Sequence, residues 1–308
     1  MMNSKSSRAS EMPSIRLLLG PLGAEINDVD ASLPMAPDVV TTLLETLYAH
    51  GVIVLPGQSL TPGELDRFAH YFGRPQPHIL SHLRLPEHQN ILRLSNVFED
   101  GEPIGVYEGA AYWHTDMSFE ADPAMATIVY SIAAPESGGD TLIANMFLAY
   151  ESLPETMRQR IDALTVLHHY GNRDDLDESS AVSASQLSDE QKQQVQNVFH
   201  PLVRHHPATG RKALYAVTGS SFGIVGIPDD EAMALLRELG EHATQADFVY
   251  RHRYNVGDIV VWDNNSTLHS ATAIASATGP HDTRLLHRVS VKADPRIDAF
   301  QAGSCPSP

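Results

Sequence analysis

The sequence predicts a mixed α+β fold built on a double-stranded β-helix, the jelly roll, with flanking helices. Short runs of β-branched and aromatic residues recur along the chain and crowd its last third, where Pro, Gly, Asn and Asp turn signals separate them. Stretches with helical apolar spacing stand between these runs, a mixture that suits two packed sheets with helical additions. At 308 residues the chain can bury a large core, and one β-barrel with added helices absorbs that length in a single domain.

The elements follow in order. Residues 1–14 are polar and small and read as a disordered leader, and the single domain spans residues 15–296. APDVVTTLLETLYAH, residues 36–50, has helical spacing and ends at Gly51, which can take a positive φ. A strand follows in GVIVLPGQSL, and Thr61-Pro62-Gly63-Glu64 then supplies a capping box for the next helix. ATIVYSIAAP predicts a buried strand, and a helix is expected from Asn145 to about Leu164. Residues 170–197 turn polar and read as a loop with a surface helix, a lid by position. HPLVRHH, KALYAV, a helix over Asp229–Ala243, DFVYRHRY, IVVWDN and RLLHRVSVKA complete the pattern before a tail at residues 297–308.

Composition narrows the class of partner. Twenty-one Lys and Arg against 38 Asp and Glu give a net charge of −17, which opposes contact with nucleic acid or an anionic membrane. No apolar run approaches the roughly 18 residues that a membrane span requires. The one cysteine, Cys305, excludes a disulfide framework and a cysteine-built zinc site, and with no secretory signal the expectation is a cytoplasmic protein. A small organic anion is still admissible, because a few arginines can make one pocket positive inside an acidic molecule.

His114 and Asp116, in YWHTDMSF, are spaced so that an extended segment would direct both to one face. Two histidines and one carboxylate on one face of an octahedron are a common iron(II) set in oxygenases. Alone the pair carries little weight, since chance supplies roughly one His-x-Asp in a chain with 16 histidines. His269, after the apolar strand of VVWDNNSTLHSAT, offers the second imidazole. Arg284 and Arg288, in TRLLHRVSV, share a strand face with Leu286 and Ser290. An inward guanidinium is costly without an anion, and a carboxylate ligand satisfies it bidentately.

From Leu22 to Ala293 these segments resemble the taurine and 2,4-dichlorophenoxyacetate dioxygenase family of 2-oxoglutarate-dependent oxygenases. The matching stretches include GVIVLPGQ, FGRPQPH, YWHTDMSF, PESGGDTLIANM, HPLVRHHPATGRKALY, EHATQADFVYRHRYNVGDIVVWDN and LLHR. The resemblance implies iron(II) at His114, Asp116 and His269. It implies Arg284 on the distal carboxylate of 2-oxoglutarate with Thr141 donating its hydroxyl, and Arg288 and His78 on an anionic substrate head group. A stretch a few residues longer than in taurine dioxygenase separates His269 from Arg284, so either arginine could take the co-substrate. Dioxygen, succinate and CO2 complete the implied reaction, with hydroxylation of an aryloxyalkanoate, an alkylsulfonate or sulfate ester, or an amino acid derivative. Asp116 stands where halogenating relatives lack a carboxylate, and the family's habit implies a homo-oligomer, dimer or tetramer. Ala110 stands where an asparagine is expected to meet taurine, which counts against taurine itself.

Plainer readings compete. Thr141 after Gly138-Gly139-Asp140 could be a turn threonine bonded to local backbone, and His78 after Pro77 a solvated loop residue. Arg284 and Arg288 could lie on an exposed edge strand. The rival for the whole chain is a non-catalytic jelly roll that binds a small anion without iron; a cupin-type hydrolase or isomerase with zinc or manganese is a second.

Overall fold

The computed structural model describes residues 12–107, 111–170 and 196–294. The lid expected at 170–197 lies outside these residues except at its two ends, as do Ala110 and the tail. The leader does so through residue 11, and its last residue, Ser14, already pairs in the first strand.

The chain opens with strands β1 (Ser14–Leu17) and β2 (Ala24–Asn27), helix α1 (Pro37–His50), β3 (Val52–Leu55) and helix α2 (Pro62–Ala69). α1 starts with Pro at its first position and stops where Gly51, at φ 72°, sends its N–H to the Leu47 carbonyl. The capping box of α2 forms as read: Thr61 accepts from the Glu64 N–H while the Glu64 carboxylate accepts from the Thr61 N–H at 2.7 Å.

Next come β4 (Arg74–Gln76), β5 (Arg84–Leu85), β6 (His88–Ser95), the small hairpin β7 (Phe98–Glu99) and β8 (Glu102–Pro103), β9 (Ala126–Ala133) and β10 (Thr141–Asn145). The single helix expected over Asn145–Leu164 is instead two, α3 (Met146–Glu151) and α4 (Glu155–Ile161). Pro154 is the cause, because it cannot donate within a helix and pushes Leu153 out of the helical region. Asn145 caps α3 by accepting from the Phe147 and Leu148 N–H groups.

β11 (Thr165–His168), β12 (Val198–Pro201), β13 (Val203–His205), β14 (Lys212–Leu214), β15 (Ser221–Ile224) and α5 (Asp229–Ala243) follow. The chain closes with β16 (Val249–His252), β17 (Ile259–Asp263), β18 (Thr267–Ala271) and β19 (Leu285–Lys292). Asp247 and Phe248 belong to a 3-10 turn, so β16 is shorter than DFVYRHRY suggested.

A main sheet runs β1-β2-β3-β17-β9-β19-β6-β5, with β4 also on β19, and a second sheet runs β16-β10-β18. These are the two walls of the jelly roll. Val54, Val129, Val260, Trp262 and Leu286 of the main sheet pack with Ile143 and Tyr254. The alternate main-sheet residues Ile53, Leu55, Ile128, Val261 and Val289 face away and bury Leu43, Leu47, Phe68 and Phe72 of α1 and the α2 region. Both faces are covered, which is why VIVL and IVVW read as continuous apolar runs and not as alternation. A third cluster joins α3 and α5 to β14. No helix among the described residues is long and apolar enough to cross a membrane.

His168, buried at the end of β11, receives or gives a 3.0 Å hydrogen bond with Ser220, and its ring lies 5.2 Å from that of His200. Burial, with the neighbouring His200, pushes its pKa down to about 3. Unfolded, it would titrate near 6.5. Its contribution to stability is therefore complete above about pH 6.5 and is lost as pH falls toward the folded value. In urea unfolding followed at several pH values, H168N should flatten the acid loss by up to about 1.4 kcal/mol per pH unit below pH 6. Thr61→Ala should cost about 1 kcal/mol at any of these pH values.

Candidate metal centre

One bridge builds the centre. The His114 N–H donates to the His269 carbonyl at 2.9 Å, and the His269 N–H donates back to the His114 carbonyl at 2.9 Å. This pair of bonds straps the 111–120 segment to β18 of the second sheet. The extended strand expected through YWHTDMSF is only this one bridge: Met117, at φ 54°, turns the chain immediately after Asp116. The turn keeps the carboxylate beside the imidazoles. His114 Nε2 is 3.8 Å from Asp116 Oδ1, and His269 Nε2 is 3.6 Å from Asp116 Oδ2. One donor atom from each residue lies within 4.8 Å of the other two.

The protonation chemistry fits a divalent cation. His114 Nδ1 lies 2.9 Å from the Tyr112 carbonyl, so a neutral ring donates there and keeps its Nε2 lone pair for the centre. Burial lowers the pKa of both imidazoles, that of His269 to about 3, so both remain neutral donors at physiological pH. Burial opposes ionisation of Asp116 too. The Arg288 guanidinium, the two histidines and the Thr127 hydroxyl together outweigh it and hold the carboxyl well below the usual range. Arg288 Nη1 donates to Asp116 Oδ1 at 3.0 Å, and Thr127 Oγ1 donates to Oδ2 at 2.6 Å.

The second arginine is placed differently. Arg284 is buried, its Nε donates to the Gly139 carbonyl at 2.9 Å, and among the described residues no carboxylate pairs with it. Burial lowers its pKa, with Asp140 and Tyr254 only partly offsetting that; the Asp140 carboxylate is taken by Arg251 at 2.6 Å. Tyr254 joins Arg284 to Thr141, since its ring lies 5.9 Å from the guanidinium and its hydroxyl 2.9 Å from Thr141 Oγ1. Thr141 stands on β10, whose Ile143 pairs with His269 on β18. Its hydroxyl is thus engaged by a side chain and not by the local turn.

His78 is partly buried, and its Nδ1 accepts the Leu80 N–H at 3.2 Å. Burial, then the charge of Arg288, pushes its pKa down to about 3, and Asp116 and His114 also act on it. It is therefore a neutral ring that carries its proton on Nε2. The structure brings His114, Asp116, His269 and Arg288 together, and it joins Thr141 to Arg284 through Tyr254. His287 points away, toward Arg93 and His88.

Three supports escaped the sequence reading. Tyr254 was one aromatic among several in YRHRY. Thr127 passed as an ordinary β-branched strand residue. Asn96 spans a long gap: its Nδ2 donates to the Ala275 and Asp282 carbonyls at 2.8 Å each, and its Oδ1 accepts the Arg284 N–H at 2.7 Å.

Fold and centre together define a jelly roll with a two-histidine, one-carboxylate site of the oxygenase type. Residues 14–290 match the model of the taurine catabolism dioxygenase TauD, TfdA family, and the chain belongs to that family. It is 32% identical over 257 residues to alpha-ketoglutarate-dependent 2,4-dichlorophenoxyacetate dioxygenase of Cupriavidus pinatubonensis, covering 80% of this chain and 87% of that one. It is 31% identical over 271 residues to an alkylsulfatase of Acinetobacter baylyi, covering 83% and 79%. The crystal structure of AAD-2 in complex with Mn(II) and N-oxalylglycine superposes with a TM-score of 0.76 at 26% identity, covering 92% and 98%.

Gly219 packs on the centre at φ 82°, and a Cβ there would meet His114 Cβ at 2.8 Å, whereas Gly226, at φ 78°, has open space. Gly219→Ala should weaken divalent-ion binding roughly tenfold or more in a calorimetric titration, the scale of a disturbed ligand support. Gly226→Ala should cost only backbone strain, about 1 kcal/mol, and leave ion binding unchanged.

Proposed function

We propose that this dioxygenase binds iron(II) through His114, Asp116 and His269 and couples 2-oxoglutarate turnover to hydroxylation of a small organic anion. The observation that carries this reading is the division of labour between two buried arginines: Arg288 is paired with Asp116, whereas Arg284 has no carboxylate partner among the described residues. A buried, unbalanced guanidinium needs an anion, and the distal carboxylate of 2-oxoglutarate supplies one with bidentate geometry. Arg284 is therefore the co-substrate anchor, with Thr141 placed beside it through Tyr254. When bound, iron(II) with 2-oxoglutarate and O2 supplies the oxidising power to break a C–H bond, with succinate and CO2 as co-products.

The protein's residues bind and orient. The Nε2–H of neutral His78 and the free donors of Arg288 offer hydrogen bonds to the primary substrate's anionic group. The Tyr112 ring lies 4.8 Å from the His114 ring, tilted by 38°, and Phe119 lies 4.6 Å from Tyr170. This aromatic wall favours an aryl acid over a short alkylsulfonate. The fully positioned arginines speak for catalysis over simple anion storage, because a storage site has no use for the two neutral imidazoles beside Asp116.

With iron(II) and 2-oxoglutarate in air, succinate should form fastest with aryloxyalkanoates from a panel that includes alkyl sulfates, alkylsulfonates and amino acid derivatives. His114→Ala should abolish it. A preference for a purely cationic substrate would overturn the anion pocket. Arg284→Ala should raise the KM for 2-oxoglutarate roughly 100-fold, the scale of one lost charge-assisted contact, with a much smaller effect on the primary substrate. The reverse pattern would exchange the roles of the two arginines.

A further inference from the structure

Asp116 has two oxygens, and each accepts one hydrogen bond from a different one of two neighbouring strands of the main sheet: Oδ1 from Arg288 on β19, Oδ2 from Thr127 on β9. The Thr127 hydroxyl is in turn held by Asn264 Nδ2, which donates to it at 3.0 Å. These roles leave no choice of direction. An amide nitrogen only donates and an ionised carboxylate only accepts, so the single hydroxyl proton of Thr127 is committed to Asp116. Both Thr127 and Asn264 are buried, and no water need complete the chain. Asn264 Oδ1 has no hydrogen-bond partner among the described residues, so the amide is held from its nitrogen side.

Asn264 is positioned by its neighbours. Asp263 Oδ1 accepts from the N–H and side-chain amide of Asn265, and Oδ2 accepts from Ser266 Oγ at 2.5 Å and from His206 Nε2 at 2.8 Å. His206 Nδ1 accepts from the Ala208 and Thr209 N–H groups, which places its proton on Nε2, facing Asp263. The turn that begins at Asp263 leads directly into β18 and His269. One rigid turn thus sets His269 through the backbone and Asp116 through Asn264 and Thr127.

We propose that Thr127, oriented by Asn264, is a positioning residue that fixes the Asp116 carboxylate and thereby sets the affinity of the centre for its metal ion. Without the hydroxyl, the carboxylate is tethered only by Arg288 and can rotate toward it, away from His269. The inference rests on the metal reading given above, and its test separates the two. Metal-free protein is titrated with Mn(II) in a calorimeter, and the thermal unfolding of the metal-free form is recorded alongside. Thr127→Val keeps the shape and removes the hydroxyl; it should weaken Mn(II) binding tenfold to a hundredfold. Thr127→Ser should restore affinity to within about threefold of the natural protein. Equal Mn(II) affinity in T127V and the natural protein overturns the proposal, as does a loss that Thr127→Ser fails to rescue, which would mark a packing role. A natural protein that does not bind Mn(II) at all sinks the metal reading instead. Should T127V not fold, T127A is compared with T127S, and equal affinities there are equally fatal.

Discussion

Two reciprocal backbone hydrogen bonds between His114 and His269 hold the rest of the site in place. They join a turn that belongs to neither sheet to a strand more than 150 residues further along the chain, and they do so at the two imidazoles themselves. Side-chain donors separated by so much sequence are expensive to order, since every rotatable bond between scaffold and donor costs entropy. Here the backbone is fixed at the donor residues, so only the side-chain torsions remain, and Tyr112, Trp262 and Gly219 crowd those. The jelly roll supplies the second requirement, a wall of strands on each side from which Arg288, Thr127 and Thr141 reach inward.

The interior then has to tolerate three charges in a small volume. Asp116 and Arg288 neutralise one another within hydrogen-bond distance, which removes most of the penalty of burying either. Arg284 has no carboxylate partner among the described residues: its Nε donates to the Gly139 carbonyl, its guanidinium lies near the Tyr254 ring, and the charge of Asp140 offsets its burial only in part. Gly139 contributes by lacking a side chain as well, since a Cβ there would strike Arg284 Cδ at 2.6 Å. The protein thus keeps one cation paired within β19, at Arg288, and one without a carboxylate partner among the described residues just before the strand begins, at Arg284.

Much of this was written in the chain in short-range form. The helix over residues 37–50, the capping box at Thr61 and the apolar strands were readable because period, cap and turn residues act within a few positions. The spacing of Arg284 and Arg288 pointed to one strand for the same reason, yet the strand begins only at Leu285 and holds Arg288 alone. Pro154 was also visible in the sequence, yet the helical apolar spacing on both sides of it outweighed it, and one helix was expected where two stand. The side-chain contacts of Thr127, Asn96 and Tyr254 were not readable, because a hydrogen bond between residues far apart in the sequence leaves no periodic trace. Nor could spacing tell the two arginines apart; that needed the position of Asp116, which a turn at Met117 decides.

Asn96 has a consequence for how such a protein can vary. One amide grips both the early part of the 272–284 segment, at Ala275, and its late part, at Asp282, while accepting from Arg284 itself. The register with which the chain enters β19 is therefore set by an anchor that follows β6 and not by the loop itself, and the Ala277 N–H adds a further bond to the Asn96 carbonyl. A change in that loop would thus reach Arg284 only through one amide, whose loss would free both ends of the segment at once.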